Sequence, residues 1–148
     1  MKIGFGNDHA ARGEIRAELM EHLKSRGHEV VDFGYAGEGA ADYPVYARKV
    51  AHAVLSGEVE CGILVCGTGI GMSIAANKVH GIRCAVCPDA YSAEKAREHN
   101  NANMIAIGAR VVGPESLKVI MDSYLGATYN PKYDHRIAQI AEIEQAGE

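Results

Sequence analysis

The run Cys61-Gly62-Ile63-Leu64-Val65-Cys66-Gly67-Thr68-Gly69-Ile70-Gly71 carries the fold assignment. Its first six residues are apolar or small and uncharged, the pattern of a strand buried on both faces. Glycines at 67, 69 and 71 then free the backbone to turn, and a short helix follows at about Ile70 to Val79. A buried strand that turns tightly into a helix is the first half of a β–α unit in a parallel sheet.

The alternation extends in both directions. Upstream, Lys2 to Gly6 reads as a strand, and Ala11 to Arg26 as an amphipathic helix with Ile15, Leu19 and Leu23 on one face. His28 to Phe33 reads as a strand. A polar, glycine-rich stretch, Gly34 to Asp42, leads to a helix opened by Pro44 and closed by Ser56-Gly57. Downstream, Ile82 to Cys87 and Met104 to Gly108 read as strands, with a helix at about Tyr91 to Glu98 between them. Another helix opens at Gly113-Pro114-Glu115. An irregular stretch, Thr128 to Asp134, precedes a polar helix carrying Ile137, Ile140 and Ile143. The expected fold is α/β, a Rossmann-like three-layer sandwich with a five-stranded parallel sheet and helices on both faces. Its 148 residues make one domain. The last helix, within residues 127–148, has nothing left to cover and reads as an arm that packs on a second copy.

Charge and composition exclude several classes. Fifteen basic residues against nineteen acidic ones leave a formal net charge of −4, so no basic footprint points to nucleic acid. No apolar run approaches the ~20 residues of a membrane span. The first ten residues lack the apolar core of a secretory signal, so the expected location is the cytoplasm. The four cysteines, Cys61, Cys66, Cys84 and Cys87, have spacings that invite a zinc or disulfide reading. On strands, however, residues five or three apart point to opposite faces, so neither pair can converge on one metal. Cys61, Cys84 and Cys87 read as small core hydrophobes, and no metal site is expected.

Three polar stretches interrupt the apolar rhythm: Gly6-Asn7-Asp8-His9, the loop from Cys66 to Gly71, and His99-Asn100-Asn101-Ala102-Asn103. In parallel sheets, ligands bind beyond the carboxyl ends of the strands. The glycine loop and the positive end of its helix form a nest for an anion, either a phosphate or a developing oxyanion. It is not a dinucleotide fingerprint, because Met72 stands at the third glycine's place. Nor is it a nucleotide P-loop, which needs Gly-Lys-Ser/Thr, or a cysteine phosphatase loop, whose arginine would fall at Met72. Cys66 opens the loop, where amides and a helix terminus favour the thiolate, a possible nucleophile, redox group or general base. Thr68 can donate a hydrogen bond to the same ligand. Asp8 either caps the first helix or meets substrate, and Tyr43 either packs at a helix start or lines the pocket. His9 and His99 are the candidate histidines.

These motifs carry a resemblance. Gly6-Asn7-Asp8-His9, Asp42-Tyr43-Pro44 and the segment from Ile63 through Cys66-Gly67-Thr68-Gly69 to Ala75-Ala76-Asn77-Lys78 belong to one pattern. Tyr91-Ser92-Ala93, Arg97-Glu98-His99-Asn100 and Gly108-Ala109-Arg110-Val111-Val112-Gly113 complete it. From Met1 to about Gly126 the chain resembles the sugar-phosphate isomerase family of type B ribose-5-phosphate isomerases and galactose-6-phosphate isomerase subunits. The resemblance implies a metal-independent aldose–ketose isomerase, without cofactor, that works through a cis-enediol. It implies Cys66 as the base between C1 and C2, with Thr68 beside it and the amides of Gly67, Gly69, Ile70 and Gly71 on the enediolate. It implies His99 in ring opening, Asp8 and Asn100 on sugar hydroxyls, Tyr43 and Arg110 at the pocket, and His9 on phosphate. Family sites use residues from both chains of a homodimer, and dimers can pair into tetramers.

The pattern departs at Tyr129-Asn130-Pro131-Lys132-Tyr133-Asp134-His135-Arg136. Type B ribose-5-phosphate isomerases usually carry Gly-Gly-Arg-His there, with a second arginine three residues on, both gripping phosphate. This stretch is one residue shorter. Arg136 matches the second arginine, and the first is Lys132 or is lost at Tyr133. Lysine keeps the charge but forfeits the bidentate fork. Ribose 5-phosphate, from pentose phosphate metabolism, is the expected substrate; galactose 6-phosphate, allose 6-phosphate or a four-carbon sugar phosphate are the alternatives. A non-catalytic sugar-phosphate-binding module is the reading from another class.

Overall fold

The computed structural model describes every residue from Met1 to Glu148. Its elements run β1 (Lys2–Asn7), α1 (Glu14–Ser25), β2 (Glu29–Asp32), α2 (Tyr43–Ser56), β3 (Cys61–Cys66), α3 (Ile70–Asn77) and β4 (Cys84–Val86). They continue with α4 (Ala90–Glu98), β5 (Met104–Gly108), α5 (Pro114–Gly126) and α6 (Asp134–Ala146). Short 3-10 turns occupy His9–Ala11 and Pro131–Tyr133. All five strands are parallel, in the order β2-β1-β3-β5-β4. The chain passes from β1 outward to β2 and then back across β1 to β3. The direction of winding therefore switches between β1 and β3, and their carboxyl ends flank the crevice there.

Alternation along the strands builds two cores. Ile3, Phe5, Ile63, Val65, Ile105 and Ile107 pack beneath α1, α4 and α5, against Leu19, Leu23, Leu117, Ile120 and Tyr124. Leu64, Cys66, Met104 and Ala106 face the other way, against Ala47, Val50 and Ala51 of α2 and Met72 and Ala76 of α3. On this second face β1 and β3 carry glycine where a side chain would stand. A Cβ at Gly62 would lie 2.6 Å from Val50 Cγ1, and one at Gly6 would lie 2.8 Å from Val50 Cγ2. The bare backbone there lets α2 sit close to the sheet.

Three expectations shift. The first helix begins at Glu14 rather than Ala11, because Gly13 takes φ +74 and ends the preceding 3-10 turn. The strand expected over Ile82 to Cys87 shrinks to Cys84–Val86 at the sheet edge. There the Ile82 N–H is taken by a turn to the Val79 carbonyl, and the Arg83 N–H by the Asn103 side chain. The irregular connector is ordered: Asn130 Oδ1 accepts the Lys132 N–H at 3.1 Å and caps the 3-10 turn that leads into α6. No residue of α6 is buried, and Glu144 ties it to the turn between α3 and β4, its carboxylate accepting the Gly81 N–H at 3.0 and 3.1 Å. No helix is long and apolar enough to cross a membrane.

Candidate active site

At the switch point β1 ends on Asn7, a fully buried amide. Its Nδ2 donates to the carbonyls of Asp8 (2.9 Å) and Tyr35 (2.8 Å), and its Oδ1 accepts from Arg16 Nε at 3.1 Å. Arg16 is itself paired with Asp32. The strand exit, the 34–42 loop and α1 are thereby tied together. Asp8 is buried and takes the capping role, its Oδ1 accepting the Ala10 N–H at 2.9 Å, while its own N–H reaches the Val65 carbonyl. His9 Nδ1 lies 3.1 Å from both the N and O of Ala41.

Beside it the Cys66 loop is clamped against the end of β5. Cys66 stands opposite Gly108 in register, and the carbonyls of Cys66 and Gly67 accept the N–H groups of Ala109 (2.9 Å) and Arg110 (3.0 Å). A Cβ at Gly108 would fall 2.8 Å from the Thr68 backbone, and one at Gly69 would fall 2.9 Å from the Ala106 carbonyl oxygen. Gly69 also needs its left-handed backbone, φ +82. Held in this way, the Gly69 N–H donates to Cys66 Sγ at 3.1 Å. Cys66 is only 5% exposed. Thr68 Oγ1 accepts the Ile70 N–H at 3.2 Å, which leaves the hydroxyl proton to donate outward. The Tyr43 ring covers Gly71, and the Arg110 stem lies over Gly67. Exposed Ile70 and Ile74 border the loop on α3.

The remaining cysteines are different. Burial pushes the thiols of Cys61, Cys84 and Cys87 up to about 12. Cys61 and Cys87 belong to the core under α1, α4 and α5, Cys66 and Cys84 to the opposite one. Each spaced pair is thus split across the sheet, which disposes of the zinc reading of their spacing.

The structure does not bring all the expected residues together. His99 follows α4 and precedes β5, so it sits at the amino edge of the sheet, whereas Cys66 sits at the carboxyl edge. The length of β5 alone separates the two edges by about 13 Å. Treating the His99 stretch as one more loop at the ligand-binding edge is therefore corrected for a single chain. His99 gathers a cluster of its own. Its ring lies 4.7 Å, centroid to centroid, from that of Tyr133, and Lys132 Nζ and Arg136 Cζ lie 5.1 and 5.5 Å from the Tyr133 ring. Asn100 is exposed beside it. At the same edge a cleft of about 470 Å³, lined by Arg83, Asn100, Ile140, Ile143 and Glu144, separates α6 from the start of β4.

Sequence reasoning missed Asn7, whose only signal was a polar residue ending an apolar strand. It also missed Asn77, which fastens α3 to the edge strand: its amide accepts the Cys84 N–H (2.7 Å) and donates to the Cys84 carbonyl (2.8 Å). Tyr133 stood out only as a position where the family's first arginine is lost, with nothing in the sequence to place its ring against His99.

Comparison with known proteins adds an independent line. The model of the Ribose/Galactose Isomerase family matches residues 3–140. Ribose-5-phosphate isomerase B of Escherichia coli is 50% identical over 145 residues, 97% of either chain. D-erythrulose-4-phosphate isomerase of Pectobacterium atrosepticum is 46% identical over 130 residues, covering 87% of this chain and 85% of the relative. The structure of ribose-5-phosphate isomerase B from Clostridium thermocellum superposes with a TM-score of 0.95 at 48% identity, covering both chains completely.

Proposed function

The chain belongs to the ribose/galactose isomerase family, and on that premise we propose that it interconverts ribose 5-phosphate and ribulose 5-phosphate with Cys66 as the proton-transfer base. The observation that carries this reading is the Gly69 N–H held at 3.1 Å from Cys66 Sγ, where the loop enters α3. In the open-chain aldose the thiolate removes the proton from C2, and the electrons flow to the C1 carbonyl to give an enediolate. The thiol returns the proton to C1 while the hydroxyl proton moves between O1 and O2, leaving the carbonyl at C2. Hydrogen shifts within one molecule, so the overall reaction needs no external oxidant or reductant. The step is fast only if the enediolate is stabilised where it forms, a role for the Thr68 hydroxyl and the loop amides not already given to Cys66 Sγ and Thr68 Oγ1.

In this reading Thr68 donates to an enediolate oxygen, Asp8 holds sugar hydroxyls, and Tyr43 and Arg110 wall the pocket. His99 aids ring opening with Asn100 beside it, and His9, Lys132 and Arg136 hold phosphate. The two edges of one sheet stand too far apart for one sugar phosphate to touch both. The site then forms between two copies, with the carboxyl edge of one chain facing the amino edge of the other. The unburied α6, with Ile140 and Ile143 exposed, and the exposed Ile70 and Ile74 beside the loop supply apolar surface for that contact.

A second substrate reading has its own support. The relative from Pectobacterium is named for a four-carbon phosphate, and the phosphate-gripping stretch is one residue short here. Turnover of four-, five- and six-carbon aldose phosphates by the purified chain, with and without Cys66→Ala, tests both readings. The expected result is highest kcat/KM on ribose 5-phosphate and no turnover in a folded Cys66→Ala. A preference for erythrose 4-phosphate shifts the substrate and keeps the chemistry. Undiminished turnover in Cys66→Ala removes the base, and tight binding without turnover by the unmodified chain makes it a binding module.

A further inference from the structure

We propose that Tyr133 is a positioning residue whose ring fixes the His99 imidazole and the Lys132 and Arg136 cations as one rigid cluster. The inference rests on the functional reading above and extends it to a residue that the family pattern does not supply. The 4.7 Å separation and 46° angle between the His99 and Tyr133 rings fall in the range of a tilted aromatic contact. Both cations lie within cation–π reach of the same ring. Neither cation is ion-paired within the chain, and the ring is the one group that all three side chains share.

The ring is itself held from behind. The Asn130 N–H donates to the Glu98 carbonyl at 2.9 Å, which pins the 3-10 turn to the C-terminal end of α4, one residue before His99. The Tyr133 N–H then reaches the Asn130 carbonyl at 3.2 Å. The Tyr133 hydroxyl has no partner in the chain, so the ring face makes the contacts. Two carboxylates lie close by. Glu98 Oε1 is 3.8 Å from His99 Nε2, and Asp134 Oδ1 is occupied by the Tyr129 hydroxyl at 2.7 Å. The cations are thus left to an external anion, and their distance from the imidazole is set by one aromatic ring. That distance determines which sugar-phosphate length can place its phosphate and its ring oxygen at the same time.

The test compares Tyr133→Phe, which keeps the platform, with Tyr133→Leu and Tyr133→Ala, which remove it. Three readouts are needed: titration with inorganic phosphate, the imidazole proton signals of His99, and kcat and KM for ribose 5-phosphate. Tyr133→Phe should match the unmodified chain in all three. Tyr133→Leu and Tyr133→Ala should weaken phosphate binding about five- to thirtyfold, as expected for two lost cation–π contacts. KM should rise by a similar factor and the ring-current shift of His99 should vanish. In a Lys132→Ala/Arg136→Ala background the effect of Tyr133 on phosphate binding should disappear. Unchanged phosphate affinity and unmoved His99 signals in Tyr133→Leu overturn the proposal. So does equal damage in Tyr133→Phe, or a chain that fails to bind inorganic phosphate at all. If no aldose phosphate is turned over, the functional reading fails by itself, and the titration and His99 signals still decide the role of Tyr133.

Discussion

Adding one methyl group to Gly69 and, separately, to Gly67 applies the same change to two positions of one loop with opposite expected consequences. At Gly69 the backbone is left-handed, φ +82, which costs an alanine about 1–2 kcal/mol. The new carbon would also stand 2.9 Å from the Ala106 carbonyl oxygen and 3.0 Å from its carbon, and neither can swing aside because they are backbone of β5. A further overpacking cost of about 1–2 kcal/mol brings the total to about 2–4 kcal/mol. For a chain of this size that lowers Tm by about 5–15 °C. The loop can relieve the clash only by moving away from β5, and the Gly69 N–H moves with it, away from Cys66 Sγ. Misplacing the base by about 1 Å relative to the substrate lowers kcat by about 10²-fold. At Gly67 φ is not left-handed, and the added carbon would meet the Arg110 Cδ at 3.4 Å, in a flexible and exposed side chain. Tm should then fall by about 2 °C or less, with kcat within a few-fold of the unmodified chain. Thermal unfolding and steady-state kinetics of the two variants provide the assay. Equal Tm and equal kcat in Gly67→Ala and Gly69→Ala would refute the geometric account of the loop.

Other outcomes follow from the same structure. In the folded chain Cys61, Cys84 and Cys87 lose their protons only near 12, against about 8.5 unfolded. Between those values the folded state binds more protons, so stability must fall as pH rises from about 9 toward 12. Each thiol contributes up to about 1.4 kcal/mol per pH unit. Replacing any one of the three with alanine should flatten the alkaline decline of Tm, and an unchanged slope contradicts the burial argument. For the same reason iodoacetamide at pH 8 should label native protein at Cys66 before any other cysteine, and peptide mapping that finds Cys61 or Cys84 modified first reverses the assignment. Asn77→Ala takes the partner from the Cys84 N–H, while the Cys84 carbonyl keeps the Ser73 hydroxyl, and should cost about 2 kcal/mol in urea unfolding, whereas Lys78→Ala next to it should cost little.

The residue sequence was sufficient for the strand–helix rhythm, because burial on both faces forces uncharged strands such as Ile63-Leu64-Val65 and each parallel return needs a covering helix. It was sufficient, too, to separate Cys66 from the other cysteines, since Cys66 alone ends a buried strand directly before the glycine loop. The Gly67–Gly71 loop was legible for the same local reason, a dense run of glycines immediately after a buried strand. Strand order was not legible, because helices of similar length could return the chain to either side of β1. That order decides which loops are neighbours and puts Asp8 beside Cys66, whereas His99 lies at the far edge whatever the order, because it follows a helix and precedes a strand. The Tyr133 cluster was equally hidden, since His99 lies more than thirty positions from Lys132, Tyr133 and Arg136 and meets them only because Asn130 docks the connector on α4. Local pattern depends on a residue's own neighbours and is written in the chain. Which loops and side chains become neighbours depends on contacts between distant segments, and that required the folded structure.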